Sequence, residues 1–228
     1  MNMVRIHQNL KKRTLCAVIA LPLAFVCLVS CKTDNRVNLF NGEDLDNWTV
    51  FVGDAAVDPS ELFTVANGVI RVAGTANGYI RTKESYSNYE LHVEWRWTGE
   101  PVNSGVLLHV QDEDMIWPNS IECQLKHQNA GDVVLIGDGA RISMGESTYR
   151  VEPEENRFVI IPRMEESSEN PAGEWNSYDI RSVNGDLEVK VNGVLQNSGS
   201  GMTPAEGKIA LQSEGAPMEF RNIYMIPL

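Results

Sequence analysis

The sequence predicts an all-β sandwich, and three observations carry that reading. Short apolar runs alternate with polar residues. Asn-Gly pairs punctuate them. No amphipathic helical pattern exceeds two turns. Extended strands turn successive side chains to opposite faces, so alternation marks a strand with one buried side. Asn-Gly supplies the positive φ that two-residue hairpin turns need.

The elements follow in order. Asn38 to Trp48 is turn-rich around Asn41-Gly42, with Leu39, Phe40, Leu45 and Trp48 expected over one end of the core. Asp54 to Ser60 reads as loop. Leu62–Val65 and Val69–Val72 flank Asn67-Gly68 as a hairpin, and Tyr79–Thr82 is a short strand. In Tyr89–Thr98, Leu91, Val93, Trp95 and Trp97 face one way, and His92, Glu94 and Arg96 the other. Strands are expected at Val133–Ile136, Arg141–Ser143 and Phe158–Ile161. Trp175–Val183, Asp186–Val191 and Val194–Gln196 form a meander through Asn184-Gly185 and Asn192-Gly193. Lys208–Ser213 and Glu219–Ile226 complete the set. Neither an internal repeat nor an inter-domain linker interrupts them, so residues 38–228 read as one domain.

The N-terminus reads differently. Arg5, Lys11, Lys12 and Arg13 precede an apolar run from Leu15 to Val29, too short for a spanning helix of about 20 residues. Leu28-Val29-Ser30-Cys31 resembles the bacterial lipobox. The resemblance implies a signal peptide over 1–30, cleavage before Cys31, lipidation of Cys31, and a tether over 31–37. Lys32 after the Cys implies outer-membrane sorting within the cell envelope, with the membrane met through the lipid anchor only. Several acyl chains anchor firmly, at roughly 0.8 kcal/mol per buried methylene. Cleavage would take the formal charge from −12 to about −16, which argues against nucleic acid as a partner. It would also leave Cys123 as the sole free thiol, on the apolar side of its strand.

The central stretch, Asn103 to Lys126, is expected to hold the chemistry. It reads as two strands joined by an acidic loop containing Trp117. Simple alternation sets Gly105, Leu107 and His109 against Val106, Leu108 and Val110, and Glu122, Gln124 and Lys126 against Ile121, Cys123 and Leu125. A sheet face bearing His109, Glu122, Gln124 and Lys126 is either solvated or a site. Trp117 either stacks on a sugar ring or anchors its loop.

Other chemistries leave weaker marks. A retaining glycosidase needs two carboxyls about 5 Å apart. The Glu122 strand offers one, and nothing in sequence sets its distance from Glu94. His92, His109 and His127 form no zinc motif. A divalent metal held by scattered Glu and His stays open, as does calcium at Asp112, Glu113 and Asp114 against a merely solvated loop. Nucleophile elbows, phosphate loops and dinucleotide fingerprints are absent from the sequence.

Several runs together resemble one family: LFNGEDLDNW (39–48), YELHVEWRW (89–97), NSG (103–105), Glu122-x-Gln124, EWNSYDI (174–180), VNG (191–193), GKIALQ (207–212) and FRNI (220–223). They look like the 3-keto-disaccharide hydrolase domain family, in the form common in Bacteroides-type bacteria. In the commoner form an Asp follows the Glu-x-Gln-x-Leu strand; Lys126 and His127 stand here. The resemblance implies a concanavalin-A-like jelly roll with its site on the concave face. It implies cleavage of 3-keto-glycosides by C2 proton abstraction, elimination at C1 and hydration. The substrate would be a small carbohydrate oxidised upstream by a sugar 3-dehydrogenase, and no redox cofactor would be needed. Carried onto this chain, the site comprises Glu122 or His109 for proton transfer and Arg96, with Lys126 beside it, for the enediolate. Glu94, Asn103, Gln124 and Gln212 would bind substrate, with Trp117 as wall. Three other readings compete: a carbohydrate-binding module on the same fold, a classical glycosidase, and a structural envelope lipoprotein.

Overall fold

The computed structural model describes residues 35–111, 114–153 and 157–228. The leader, Cys31, Asp112 and Glu113 lie outside the described residues. The strands begin with β1 (Val37–Asn38), β2 (Trp48–Val52), β3 (Phe63–Ala66), β4 (Val69–Val72), β5 (Gly78–Thr82) and β6 (Tyr89–Trp97). Next come β7 (Gly105–Val110), β8 (Ser120–Gln124), β9 (Val133–Ile136), β10 (Arg141–Met144), β11 (Ser147–Arg150) and β12 (Phe158–Ile161). Last are β13 (Asn176–Val183), β14 (Asp186–Val191), β15 (Val194–Thr203), β16 (Lys208–Ser213) and β17 (Met218–Pro227).

They form two antiparallel sheets. The ten-stranded sheet runs β11-β10-β15-β14-β13-β6-β17-β4-β3, with β1 also on β17. The seven-stranded sheet runs β12-β9-β8-β7-β16-β5-β2. Trp95, Trp97, Tyr178 and Phe220 from the first sheet and Val106, Leu108, Ile121, Cys123 and Leu135 from the second belong to one buried cluster. Trp95 and Tyr178 have ring centroids 4.8 Å apart. Cys123 is a buried free thiol, and burial pushes its pKa up.

Three departures from the sequence reading have local causes. Asp58, read as loop, caps a single helical turn, α1 (Pro59–Leu62); its carboxylate accepts from the Ser60 amide and Pro59 starts the turn. β2 is not among the strands expected from sequence, although Thr49, Val50, Phe51 and Val52 after the turn-rich stretch suit a strand; it pairs with β5. β15 runs well past Gln196 through a Gly/Ser tract that looks like loop. A Cβ at Gly199 would meet the Ile142 side chain and the Ser143 carbonyl at 2.8 Å, so a small residue is what lets β10 approach.

A fourth departure moves a predicted site residue. Between β7 and β16, Leu107 faces Ala210 but Val110 faces Lys208, so β7 carries one extra residue. The bulge falls at His109, whose φ is +54°. A bulge resets the in/out parity of a strand. His109 therefore points into the sandwich, and Val110 takes the outer face with Leu107, Tyr79 and Ala210. The His109 ring lies 5.7 Å from that of Tyr89 on the other sheet. Its Nδ1–H donates to the Tyr86 carbonyl at 3.3 Å, leaving Nε2 2.9 Å from the Ser182 hydroxyl, which can donate to it. Gly207 makes the bulge feasible, since a Cβ there would sit 2.5 Å from the His109 carbonyl carbon.

Burial lowers the His109 pKa to about 4. The folded ring stays neutral while the unfolded ring titrates near 6.5, so the unfolded state binds more protons in between. Stability from this group is complete above about pH 6.5 and falls as pH drops toward 4, by on the order of 3 kcal/mol. Urea denaturation of wild type and His109→Gln across this range should show a flatter pH dependence for the variant.

Candidate active site

The outer face of the seven-stranded sheet can be read rung by rung from its register. On one rung Gln124 faces Gly105. On β16, Gln212 faces Tyr79 of β5. The neighbouring rung sets Glu122 between Leu107 and Val134. Residues two apart on a strand share a face, so Glu122 and Gln124 project together from β8. Gly105 is what makes room, for a Cβ at this position would sit 2.5 Å from the Glu122 Oε1.

A cleft of about 230 Å³ opens above this floor. Asn103, Trp117, Glu122, Gln124, Lys126 and Glu214 line it, together with Val134, Ile136, Phe158 and Ile160. Asn103 and Glu214 face each other as an isolated antiparallel bridge, and the Asn103 Nδ2 donates to the Glu214 carboxylate at 2.8 Å. The Trp117 wall is braced from outside the cleft. Arg157 donates to the Trp117 carbonyl at 3.1 Å, and Asp114 pairs with Arg81 at 3.0 Å and accepts from the Tyr79 hydroxyl at 3.1 Å.

The two carboxyls differ in environment. Glu122 is buried, and its pKa is raised to about 8 by burial first and by the Glu214 charge second. Burial also raises Glu214, but the Asn103 hydrogen bond and the Lys126 ammonium oppose it. Glu122 is thus largely a neutral acid at pH 7, whereas the rise at Glu214 is opposed by two neighbours. Several buried polar atoms here lack a protein partner: Glu122 Oε1, Asn103 Oδ1, and both Nε2 and Oε1 of Gln212. Buried polar groups are normally satisfied, so this concentration marks a place for a ligand or water.

Glu122, Gln124, Asn103, Lys126 and Trp117 are brought together as the sequence reading expected, with Gln212 on the same face. Three expected residues are not with them. His109 is turned inward by its bulge. Glu94 and Arg96 lie on the outer face of the opposite sheet. Glu94 accepts from Arg221 at 2.6 Å and Asn222 at 2.7 Å. Arg96 pairs with Glu219 at 2.7 Å and lies 4.7 Å over the Trp175 ring. Alternation correctly separates the two faces of β6. It does not say that the polar face of one sheet points away from the polar face of the other.

Sequence reasoning missed Glu214, Phe158 and Ile160. Glu214 had a signal: it follows Gln212 by two residues and so continues the same face. Phe158–Ile161 is apolar throughout and left no parity to read. Larger grooves of about 390 and 410 Å³ occur on the ten-stranded sheet. None of the unpartnered buried atoms among the described residues belongs to their lining, and several of their ionisable groups are paired, His92 with Asp179 at 2.6 Å and Glu94 with Arg221 at 2.6 Å. Among the described residues no cluster of three or more His, Cys, Asp or Glu could hold a metal ion.

Comparison with protein families matches residues 35–226 to the 3-keto-alpha-glucoside-1,2-lyase-like domain. The chain belongs to this family. A comparison with curated protein sequences returned no match. Among solved structures, the 3-keto-alpha-glucoside-1,2-lyase-like chain is similar to a candidate glycosyl hydrolase from Parabacteroides distasonis. The TM-score is 0.62 at 23% identity, over 85% of this chain and 94% of that one. It is also similar in fold to the Bacillus licheniformis β-glucanase (TM-score 0.56, 13% identity, 84% of this chain and 96% of that one). A carbohydrate-binding module from Bacillus subtilis matches with a TM-score of 0.55 at 9% identity, over 78% and 93% of the two chains. The jelly-roll architecture expected from the sequence is the observed one.

The raised pKa of Glu122 gives a stability test. Its folded pKa lies above the unfolded value near 4.5, so the unfolded carboxyl gives up its proton first. Stability from this group is present below about pH 4.5 and is lost as pH rises toward 8. Glu122→Gln removes that loss. The stability of the variant relative to wild type should rise by on the order of 2–3 kcal/mol between pH 4.5 and pH 7, measured by chemical denaturation.

Proposed function

We propose that this cleft cleaves 3-keto-glycosides, with Glu122 as the group that protonates the departing oxygen and Glu214 as the base. The observation that carries the reading is a pair of carboxyls lining one cleft in unlike settings: Glu122 is buried with its Oε1 unpartnered, which pushes its pKa up to about 8, and Glu214 accepts a hydrogen bond from Asn103. The family supports the substrate.

A ketone at C3 acidifies the proton on C2. Glu214 takes that proton, and the electron pair moves into an enediolate across C2 and C3. The Lys126 ammonium stabilises the charge on the C3 oxygen. The enediolate then expels the C1 substituent, leaving a C1–C2 double bond conjugated to the restored ketone. The leaving oxygen receives the proton of Glu122. Water adds to C1 and gives its proton to Glu122, while Glu214 returns the first proton to C2. The net change is hydrolysis to a free 3-keto sugar and the released alcohol. An oxidoreductase of the sugar 3-dehydrogenase class must supply the ketone. Gln124, Gln212 and Asn103 bind hydroxyls, and Trp117 walls the cleft.

The same carboxyl pair favours a second reading, a classical glycosidase acting on unoxidised sugar. Product formation from a 3-keto-glucoside beside its unoxidised parent separates the two. Cleavage of the keto sugar alone is expected; cleavage of the parent would move the assignment to the second reading. Glu122→Gln and Glu214→Gln should each lower turnover by about 10²–10⁴-fold. The rate should fall above about pH 8, as Glu122 loses its proton. A rate that instead climbs through that pH would make Glu122 the base.

We further propose that the domain is carried on a lipid anchor at Cys31, in the outer membrane of the cell envelope. The lipobox-like Leu28-Val29-Ser30-Cys31 supports this. Fatty-acid labelling of the expressed protein should be lost in Cys31→Ser, and the variant should leave the membrane fraction. Persistent labelling would exclude Cys31 as the anchor.

A further inference from the structure

The cleft has two chemically different halves, and Glu122 stands on the seam between them. On one side are Asn103, Gln124, Lys126 and Glu214. On the other the surface is apolar. Val134 faces Glu122 across β8 and β9, and its next partner outward is Ile160. One rung along, Ser120 faces Ile136, and Ile136 faces Phe158. β12 is the edge of the sheet, and Phe158 and Ile160 are 55% and 48% exposed there. Trp117 lines the same cleft. In a chain with formal charge −12, two adjacent exposed apolar side chains on an edge strand are an aggregation liability unless they serve a ligand.

We infer that the group released from C1 is an apolar, ring-bearing aglycone and not a second sugar. The inference rests on the reading proposed above. An acid that protonates the departing oxygen must sit beside the bond that breaks. With Glu122 at the seam, the oxidised sugar lies over the polar half, where unpartnered amide and carboxyl atoms await hydroxyls. The leaving group then falls on Val134, Ile136, Phe158 and Ile160. A second sugar there would give up water from its hydroxyls and find no partner in return. A flat apolar ring would cover the four side chains and lose nothing.

The test uses the full folded chain and needs no turnover at its first step. Calorimetry compares phenyl glucosides of both anomers with the matching methyl glucosides, for wild type and for the Phe158→Ser/Ile160→Ser variant. Both side chains are exposed, so the fold should tolerate the change. The phenyl compound of one anomer should bind wild type at least about tenfold tighter than the methyl compound. The variant should lose that preference and leave methyl affinity unchanged. Equal affinity for the two compounds overturns the inference, as does binding of neither. So does a variant that weakens both alike, or one whose only effect is to dissociate a dimer. A second arm compares cleavage of a 3-keto phenyl glucoside with that of a 3-keto disaccharide. Phenyl preference without keto-sugar cleavage would overturn the catalytic reading, and with it release of the ring from C1, and leave the apolar half as a binding site for the ring alone. Keto-sugar cleavage without phenyl preference would keep the catalytic reading and overturn the aglycone assignment.

Discussion

The Glu122 carboxyl lies over Gly105 at the floor of the cleft, where its charge is poorly solvated, and the remaining features of the site follow from that placement. A carboxylate moved from water into such a position loses hydration that only a cation or several donors could replace. No such partner reaches Oε1. The group therefore keeps its proton, and the nearby Glu214 reinforces this by adding like charge. Glu214 is held differently: burial raises its pKa too, but the Asn103 amide and the Lys126 charge work against that rise. A glycine on one strand thus leaves the space that the buried acid on the next strand occupies. Any side chain at Gly105 would displace the carboxyl that gives the cleft its chemistry.

Most of the architecture was legible because the two sheets are built from rules that act locally. The Asn67-Gly68, Asn184-Gly185 and Asn192-Gly193 turns fall where hairpins form, and their asparagines take positive φ. The apolar face of β6 is buried as its alternation requires. What was not legible is set by partners far away in sequence. The glycine-rich half of β15 exists because β10 needs close approach. The same distinction explains the site. Glu122 and Gln124 could be placed on one face because they share a strand. Arg96 and Glu94 could not be placed relative to them, because sheet membership is a property of the whole fold.

His109 is a sharper case. Its alternation with Leu107 and Gly105 is genuine in the sequence, yet one extra residue in β7 cancels it. The bulge depends on Gly207 across the ladder, ninety-odd residues away, and no local pattern announces it. The consequence reaches the chemistry. A histidine held neutral between Tyr86 and Ser182 supports the sandwich interior and cannot transfer a proton at the cleft. With the histidine turned inward, the ionisable groups lining the cleft are two carboxyls and a lysine.

The unpartnered atoms of Gln212, Asn103 and Glu122 carry the last step of the argument. None of these atoms has a protein partner, and a buried polar group left without any hydrogen bond costs about 1–3 kcal/mol. A ligand that brings hydroxyls to these atoms gives them hydrogen bonds that no protein group supplies. An apolar ligand lying there would supply none. The floor is therefore selective for a hydroxyl-rich ring before any reaction begins, and the apolar rungs of β9 and β12 are selective for the opposite chemistry. Glu122 touches both regions. Glu122, whose pKa burial pushes up to about 8, thus sits where a molecule with two such unlike halves would have them joined.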